Sequence, residues 1–432
     1  MSRGSGSSGS PHRGLGSPAE RRAAERLADV ELESTPGPVL SAALRVFAPE
    51  LSAGNRKRWD RWVQALRLLR PLGAISAGNA VRVFADGDEL LEAQWAGMDA
   101  AKFQIVMTMY IFADDEVGRR TRDGLAAAAR RGVDVALQLD AFASPLDEDF
   151  LAPLKAAGVH VAWFNPILRW RSRYSRLVRN HRKLLAIDGR VGYAGGMNIS
   201  EEYGGERYGN GRFRDTNIEV RGPAARDLGQ LAASTFEPPP PIVLAADAKP
   251  GEVLVQVLES HVRRERRAIQ KALRLTIEHA SERVWLTSPY FVPPQRIMRT
   301  LESAAGRGVD VRVLTAGLSD VPIVRRASQH LYGRLLGSGI RIFELEARTL
   351  HSKTAVVDGV WGSVGSFNLD LWSYRRNLEV TVAVLDSDLA VGLERAFEAD
   401  LEGAREVRLG SWLDRPWWQR LSHWIAFQLM RI

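Results

Sequence analysis

Two stretches of this chain share an unusual pattern of polar residues at the start of an apolar run. "NHRKLLAID" at 180–188 is matched by "LHSKTAVVD" at 350–358, with His, Lys and Asp at the same mutual spacing. "GVDV" at 132–135 also recurs at 308–311, each time after an alanine-rich segment. The copies lie 170 and 176 positions apart (350 minus 180, 308 minus 132), far beyond the roughly 20 to 50 residues of a solenoid repeat. We therefore predict two similar domains.

Strand and helix signals alternate within each copy. Short β-branched runs such as "AVRVF" at 80–84 and "VDVALQLD" at 133–140 are separated by helical segments of about 10 to 15 residues. This alternation is typical of an α/β fold in which helices cover a mainly parallel or mixed sheet. In the second copy, the residues from Val255 to Ala280 are predicted to form one long helix.

Composition sets the expected domain boundaries. The start of the chain, "MSRGSGSSGSPHRGLGSP", is rich in Gly and Ser and predicts a disordered leader. "EPPPP" at 237–241 continues neither a helix nor a central strand. The predicted order is a leader over 1–20, N-terminal helices over 21–75, a first domain over 76–236, a proline-rich linker over 237–250, a second domain over 251–405 and a tryptophan-rich amphipathic segment over 406–432.

Charge and cysteine content limit the possible functions. The chain has no cysteine, which excludes thiolate metal sites and cysteine nucleophiles. Its formal net charge of +8 favours an anionic partner: nucleic acid, an anionic membrane surface or a phosphorylated substrate. No run reaches the roughly 18 apolar residues of a membrane-spanning helix. Catalysis would therefore depend on His, Lys, Ser, Asp and Glu.

Each repeated stretch places a histidine and a lysine on one face of a strand. Residues i and i+2 of a strand point to the same side, so His181 is paired with Lys183, and His351 with Lys353. Both runs then reach Asp-Gly, the strongest short hairpin signal. We group Asp188 and Asp358 with this catalytic motif, and expect them to shape the turn and brace the pair.

Small residues and asparagines follow each predicted hairpin. The returning strands end in "GGMN" at 195–198 and "GSFN" at 365–368. Glycine allows the main chain to approach a ligand, and an asparagine amide can donate to an oxyanion. We therefore predict that Asn198, Ser366 and Asn368 bind a phosphate.

This set of residues fits displacement on phosphorus through a covalent intermediate. One imidazole would attack, and the other would protonate the leaving oxygen and later deprotonate the incoming hydroxyl group. The lysines and asparagines would hold the non-bridging oxygens. We expect neither a metal nor another cofactor, because two lysines supply the positive charge.

The two motifs, "HRKLLAID" with "GGMN" and "HSKTAVVD" with "GSFN", resemble those of the phospholipase D superfamily. The resemblance covers most of residues 80–400. It implies two α/β domains related by a pseudo-two-fold axis, one shared site and a phosphohistidine intermediate. By the same resemblance His181 is the nucleophile and His351 the acid and base, although the residues themselves also allow the reverse.

The family also implies an acid that orients each histidine. On this basis we assign Asp215 in "RDTNIEV" and Glu379 in "RNLEV" to that role, with Glu219 as a weaker candidate. A general base commonly has such a third group behind it.

Segments outside the motifs bear on the choice of phosphodiester, and one of them is the Gly-rich loop "EEYGGERYGNGRF" at 201–213, whose position suits an acceptor or product gate. Arginines are interleaved with apolar residues over 167–179, and tryptophans recur from Trp412 to Trp424. Residues 55–73 are predicted to form a basic amphipathic helix that suits either an anionic bilayer or the protein's own core. Arginines with aromatics also suit nucleic acid.

Longer segments, including "SPYFVPPQRIMRTL" at 288–301, resemble bacterial cardiolipin synthases without N-terminal transmembrane helices. That family implies transfer of a phosphatidyl group from phosphatidylglycerol to a second phospholipid, with release of glycerol. Hydrolysis to phosphatidic acid and nuclease activity are the alternatives. We expect phospholipid substrates, an anionic membrane surface rather than nucleic acid as partner, and a peripheral location on the cytoplasmic face of the bacterial plasma membrane. The sequence does not indicate an oligomeric state.

Overall fold

A computed structural model describes Ala43, Val46 and residues 56–166, 174–243, 249–262 and 267–431. The predicted leader over 1–20 and residues 167–173 of the arginine-rich segment lie outside these ranges. Among the described helices, none is both long enough and apolar enough to cross a membrane.

The first half of the chain forms a sheet with helices on its faces. Asp86, Asp115 and Asp147 begin three of the helices, because each carboxylate accepts a first-turn N–H that would otherwise lack a partner. In chain order the elements are α1 (Arg56–Leu69), a 3-10 turn (Arg70–Leu72), β1 (Ala74–Phe84), α2 (Gly87–Ala100), β2 (Gln104–Met109), α3 (Glu116–Arg130), β3 (Asp134–Asp140), α4 (Glu148–Ala156), β4 (His160–Phe164), β5 (Arg179–Asn180), β6 (Leu184–Ile187), β7 (Val191–Gly195), β8 (Phe213–Arg214), β9 (Asn217–Arg221) and α5 (Pro223–Ala233).

The second half repeats this series and adds helices at its end. Its elements are β10 (Val253–Ser260), α6 (Ala268–His279), β11 (Arg283–Thr287), α7 (Gln295–Gly306), β12 (Asp310–Ala316), α8 (Pro322–Gly337), β13 (Arg341–Leu345), β14 (Thr349–Leu350), β15 (Thr354–Val357), β16 (Trp361–Gly365), α9 (Leu371–Arg376), β17 (Asn377–Leu385), α10 (Ser387–Glu402), β18 (Ala404–Val407), α11 (Leu409–Leu413) and α12 (Trp417–Leu429).

Both halves have the same strand order. The first half reads β4-β3-β2-β6-β7-β9-β1 from its outer edge inwards, and the second reads β13-β12-β11-β15-β16-β17-β10, with β18 outside β13. β1 pairs antiparallel with β10, so the two sheets join edge to edge. The duplication therefore appears as two copies of one strand order, related by an approximate two-fold axis between β1 and β10.

Each half is a mixed sheet rather than a mainly parallel one. β2, β3 and β4 are parallel, whereas β6 and β7 form an antiparallel hairpin between β2 and β9. The hairpin turns contain Asp188 and Asp358, both with φ of 54°, and each is followed by a glycine that also has positive φ. A type I′ turn requires this conformation at both central positions, and Asp-Gly adopts it readily. The predicted Asp-Gly hairpins are confirmed.

The prediction of one long helix from Val255 to Ala280 is wrong. Residues Val253–Ser260 form the strand β10, and the helix α6 begins only at Ala268. β10 lies between β1 and β17 in the middle of the sheet and is buried along most of its length. A strand covered on both faces shows no alternation of polar and apolar residues, so the sequence pattern did not identify it.

The basic amphipathic helix α1 packs on the second half of the protein. Trp59 and Trp62 are buried in the same core cluster as residues of α6. The indole N–H of Trp62 donates to Asp358 Oδ2 at 3.1 Å. Of the two roles that the sequence left open for this helix, the structure supports packing on the protein's own core.

The two motif aspartates hold the start of a neighbouring strand. The carboxylate of Asp188 accepts hydrogen bonds from the main-chain N–H groups of residues 102–104. That of Asp358 accepts them from residues 281–283, and the N-to-O distances in both sets are 2.8–3.1 Å. Each carboxylate therefore lies at the opposite end of a four-residue strand, β6 or β15, from its histidine. Their contacts fit the expected turn and bracing role, but place them away from the reacting groups.

Replacement of these aspartates should reduce stability. Asp358 is buried, so we expect Asp358→Ala to lower the free energy of unfolding by about 3 kcal/mol, because several N–H groups lose a charged acceptor. Asp188 is half-buried, and Asp188→Ala should have a smaller effect. Urea denaturation would measure both, with the exposed Glu206→Ala as a control. An Asp358→Ala protein as stable as this control would contradict the bracing role.

Candidate active site

His181 and His351 each follow a short strand that pairs with the opposite half. β5 runs parallel to the start of β17, and the N–H of His181 donates to the carbonyl of Leu378 at 3.0 Å. β14 runs parallel to β8, and the N–H of His351 donates to the carbonyl of Arg214 at 2.8 Å. The main chain therefore places each histidine beside a strand of the other half.

The residue after each of these carbonyls is an acid that binds the histidine ring. His181 Nδ1 lies 3.0 Å from Glu379 Oε2, and His351 Nδ1 lies 2.6 Å from Asp215 Oδ2. All four side chains are buried. An acid on Nδ1 fixes the orientation of the ring and leaves Nε2 for chemistry. The family resemblance pointed to both acids, but not to their exchange between the halves.

Two buried lysines complete the positive charge of this cluster. Lys183 Nζ donates to the carbonyl of His181 at 2.7 Å, and Lys353 makes the same bond to His351. Burial lowers the pKa of Lys183 from 10.5 to about 7, against the opposing charge of Glu379. Burial also lowers the pKa of Lys353. The two lysines lie close enough for the charge of Lys353 to lower the pKa of Lys183 further.

The histidines are biased towards the neutral form. Burial lowers the pKa of His181 below its usual 6.5, although the charge of Glu379 acts in the opposite direction. Burial and the charge of Lys353 lower the pKa of His351 to about 4, with Asp215 opposing the shift. Neutral imidazole is the form that attacks phosphorus.

The acids are held differently in the two halves. Ser366 donates its hydroxyl to Glu379 Oε2 at 2.5 Å, and Asn377 donates to the other oxygen at 3.2 Å. The equivalent of Ser366 in the first half is Gly196, where a Cβ would lie 2.2 Å from Asp215 Oδ1. We predicted a phosphate-binding role for Ser366, but its hydroxyl is already used on Glu379, which indicates a positioning role.

The two predicted asparagine ligands differ in their contacts. Asn198 Oδ1 accepts from the N–H of Ile111 at 3.1 Å, and its Nδ2 donates to the hydroxyl of Tyr203 at 2.7 Å. Asn368 Oδ1 is buried and has no hydrogen-bond partner among the described residues. An amide that is not fixed in this way can turn its donors towards a phosphate oxygen. Both assignments stay predictions, with Asn368 as the better placed ligand.

Glu219, the weaker candidate for orienting a histidine, is placed elsewhere. Its carboxylate accepts from Arg221 Nε at 2.6 Å, and after burial it is the next cause of the raised pKa of Tyr193. These contacts lie on the face of the sheet that α2 covers, where the hydroxyl of Tyr193 donates to the carbonyl of Ala93, and neither histidine takes part in them.

Aromatic rings around the histidines were missed by the sequence reasoning. The ring of Tyr110 lies 4.7 Å from that of His181, and Lys183 Nζ lies 4.7 Å from the same tyrosine ring. On the other side Tyr203 and Phe213 lie 5.5 and 5.4 Å from the ring of His351. Tyr110 directly follows β2, and a polar aromatic residue at the end of a buried strand was the available signal.

Among the described residues, no three His, Asp or Glu side chains are grouped so that they could hold a metal ion. Each histidine Nδ1 is already paired with a carboxylate.

The sequence profile described as "Cardiolipin synthase, PLD-like domain" matches residues 96–210 and 273–401, which contain both histidine–lysine motifs. Cardiolipin synthase A of Pseudomonas fluorescens is 32% identical over 372 residues, covering 82% of this chain and 78% of that protein. The chain belongs to the cardiolipin synthase family. A cardiolipin synthase of Geobacillus kaustophilus is 33% identical over 378 residues, covering 84% of this chain and 74% of that protein.

A solved structure has the same fold as this cardiolipin synthase family member. The phosphatidylserine synthase of Haemophilus influenzae superimposes with a TM-score of 0.63 at 13% identity, covering 80% of this chain and 92% of that chain. The likeness extends over both halves and supports the phospholipase D-like fold.

Loss of either histidine–acid bond should reduce catalysis. We expect Glu379→Gln and Asp215→Asn each to lower kcat on a phosphodiester substrate by roughly 10²- to 10⁴-fold, because the neutral side chain no longer stabilises an imidazolium. Steady-state rates would test this. The matched control is Glu219→Gln, which changes an acid of the same sheet that binds Arg221 instead. Equal losses in all three variants would refute a specific orienting role.

Anion binding should weaken as the pH rises. Lys183 has a lowered pKa of about 7 in the empty site, so its positive charge is present below this pH and is lost above it. We expect the affinity for dimethyl phosphate, a phosphodiester of constant charge, to fall by up to about tenfold per pH unit between about pH 7 and 9. Isothermal titration calorimetry would measure it. Lys183→Met should bind weakly with a flatter profile, and an unchanged wild-type affinity across this range would contradict the prediction.

Proposed function

We propose that this protein transfers a phosphatidyl group from phosphatidylglycerol to the hydroxyl group of a second phospholipid and releases glycerol. Two histidine–acid pairs exchanged between the halves, with two lysines beside them, are the observation that carries this proposal. The family relationship favours phospholipid substrates.

In the first step, we assign His181 as the nucleophile. Its Nε2 lone pair attacks the phosphorus atom while the bond to the glycerol oxygen breaks. The Nε2 proton of a protonated His351 goes to that oxygen, so glycerol leaves as a neutral alcohol. Lys183 and Lys353 stabilise the negative charge on the non-bridging oxygens.

In the second step, the hydroxyl group of the acceptor lipid replaces glycerol. His351, now neutral, takes its proton, and the oxygen attacks the phosphorus of the phosphohistidine. The P–N bond breaks and His181 regains its lone pair. Both imidazoles return to their initial state, so the cycle is balanced without a further reactant.

The contacts of the acids support this division of roles. Asp215 holds His351 at 2.6 Å, and a short charge-assisted bond favours the imidazolium that an acid must form. The two carboxylate oxygens of Glu379 bind His181, Ser366 and Asn377. Because three groups share its negative charge, Glu379 stabilises a protonated His181 less strongly. In the empty site burial, and after it the charge of Lys353, lower the pKa of His351 to about 4, and a bound phosphate anion offsets the charge of Lys353.

The same proposal includes the cellular setting. We infer a peripheral protein on an anionic membrane surface, at the cytoplasmic face of the bacterial plasma membrane. The net charge of +8 supports attraction to anionic lipids.

Lipid mass spectrometry on purified protein with phosphatidylglycerol vesicles tests the function. Wild type should form cardiolipin and glycerol, and His181→Ala and His351→Ala should lower the rate by at least about 10⁴-fold. His160→Ala, which changes an exposed histidine on β4, is the control. Phosphatidic acid as the sole product would assign hydrolysis by water. Cleavage of labelled DNA without lipid turnover would refute a lipid substrate.

A further inference from the structure

Large apolar side chains are exposed at equivalent positions in the two halves. Phe142 is 63% exposed two residues after the end of β3, and Leu318 is 50% exposed two residues after the end of β12. β3 and β12 occupy the same place in the two copies of the strand order. A single exposed apolar residue is ordinary for a protein surface. An exposed apolar residue at the same position in both copies indicates that the two residues have a common function.

Each loop lies at the end of its own half of the sheet where that half's histidine is placed, because β2 and β11 each pair antiparallel with the strand that follows the histidine. β2 and β3 are parallel and end side by side, so Phe142 follows a strand whose neighbour leads directly to Tyr110, which contacts His181. The guanidinium of Arg179, two residues before His181, lies 5.8 Å from the ring centroid of Phe142.

The second half repeats this arrangement around Leu318. β11 and β12 are parallel, and the segment after β11 contains Tyr290. The hydroxyl of Tyr290 donates to Asp320 at 2.7 Å, which ties this segment to the loop of Leu318. Burial lowers the pKa of Lys353, and the negative charge of Asp320 acts in the opposite direction. Both apolar residues therefore follow strands that end on the same side of their half as its histidine and lysine.

The helix α12 adds a continuous apolar stripe. Its exposed large apolar residues recur at intervals of three and four positions: Trp417, Trp418, Leu421, Trp424, Ile425 and Leu429. The opposite face packs on α8 through Ala426 and Phe427, whose ring lies 4.7 Å from that of His330. α12 contains Arg420 and no acid.

The residues just after α12 contact the helix α9. The carbonyl of Arg431 accepts from the guanidinium of Arg375 at 3.1 Å, and Arg375 lies in α9, directly before the strand of Glu379. α9 also exposes Trp372, over which Arg376 is stacked at 4.5 Å. The end of α12 is therefore joined to the helix that carries a further exposed tryptophan and directly precedes the strand of Glu379.

We propose that Phe142, Leu318, Trp372 and the exposed stripe of α12 form one bilayer-facing surface that places the active site against anionic phospholipids. This inference rests on the proposed function, since it supplies the route by which lipid headgroups reach the histidines. Tryptophan and arginine together on an amphipathic element suit the headgroup layer of an anionic bilayer. The positive net charge of the chain favours this occupant over a basic protein surface.

A pair of phenylalanines provides a matched test. Phe103 is 54% exposed, a fraction similar to that of Phe142. It precedes β2, whereas Phe142 follows β3, so the two phenylalanines lie at opposite ends of this parallel pair of strands. We expect Phe142→Ser and the double variant Trp417→Ser/Trp424→Ser each to weaken binding to phosphatidylglycerol–phosphatidylcholine vesicles about tenfold or more in sedimentation assays. Phe103→Ser should bind like wild type.

Turnover assays separate this surface from the chemistry of the site. The two surface variants should lose turnover on vesicles but keep wild-type turnover of monomeric short-chain phosphatidylglycerol. Vesicle binding that is unchanged in both variants, or reduced equally in Phe103→Ser, would overturn the proposal. If wild type binds vesicles through these residues but turns over no lipid, the surface stands and the proposed function fails. Circular dichroism melting curves would verify that all variants are folded.

Discussion

Each histidine in this protein depends on a carboxylate that the other half of the chain supplies. A buried imidazole and a buried carboxylate are both costly to remove from water unless they bind each other. His181 with Glu379 and His351 with Asp215 meet this condition only when the two halves are joined. The edge-to-edge pairing of β1 with β10, and the short parallel pairs of β5 and β14, hold the halves in that relation.

The electrostatics of the site follow from the same arrangement. Burial lowers the pKa of both histidines and both lysines, so the empty site tends to lose positive charge. A phosphodiester anion would reverse this tendency, because its negative charge stabilises the protonated forms. Substrate binding and the readiness of an imidazole to act as an acid are thereby coupled. The motif aspartates Asp188 and Asp358 contribute indirectly, since they fix the strands that carry these residues.

Local sequence patterns predicted the elements that depend on nearby residues. The Asp-Gly hairpins form because the turn conformation is a property of two adjacent residues. The strand β10 was predicted as a helix, because a strand buried on both faces carries no alternation. The rings of Tyr110 and Tyr203 beside the histidines were not anticipated, and neither was the packing of α1 on the second half.

The sequence by itself determined the two copies and the histidine–lysine spacing within each copy, and only its resemblance to a known superfamily pointed to the two acids. The tertiary structure alone decided which acid serves which histidine, because those partners are separated by 198 and 136 positions. It also decided that Ser366 braces Glu379, and that the apolar residues after β3 and β12 each follow a strand end on the side of that half's histidine. Strand alternation relates residues a few positions apart, whereas contacts between the halves arise only once the two sheets have joined.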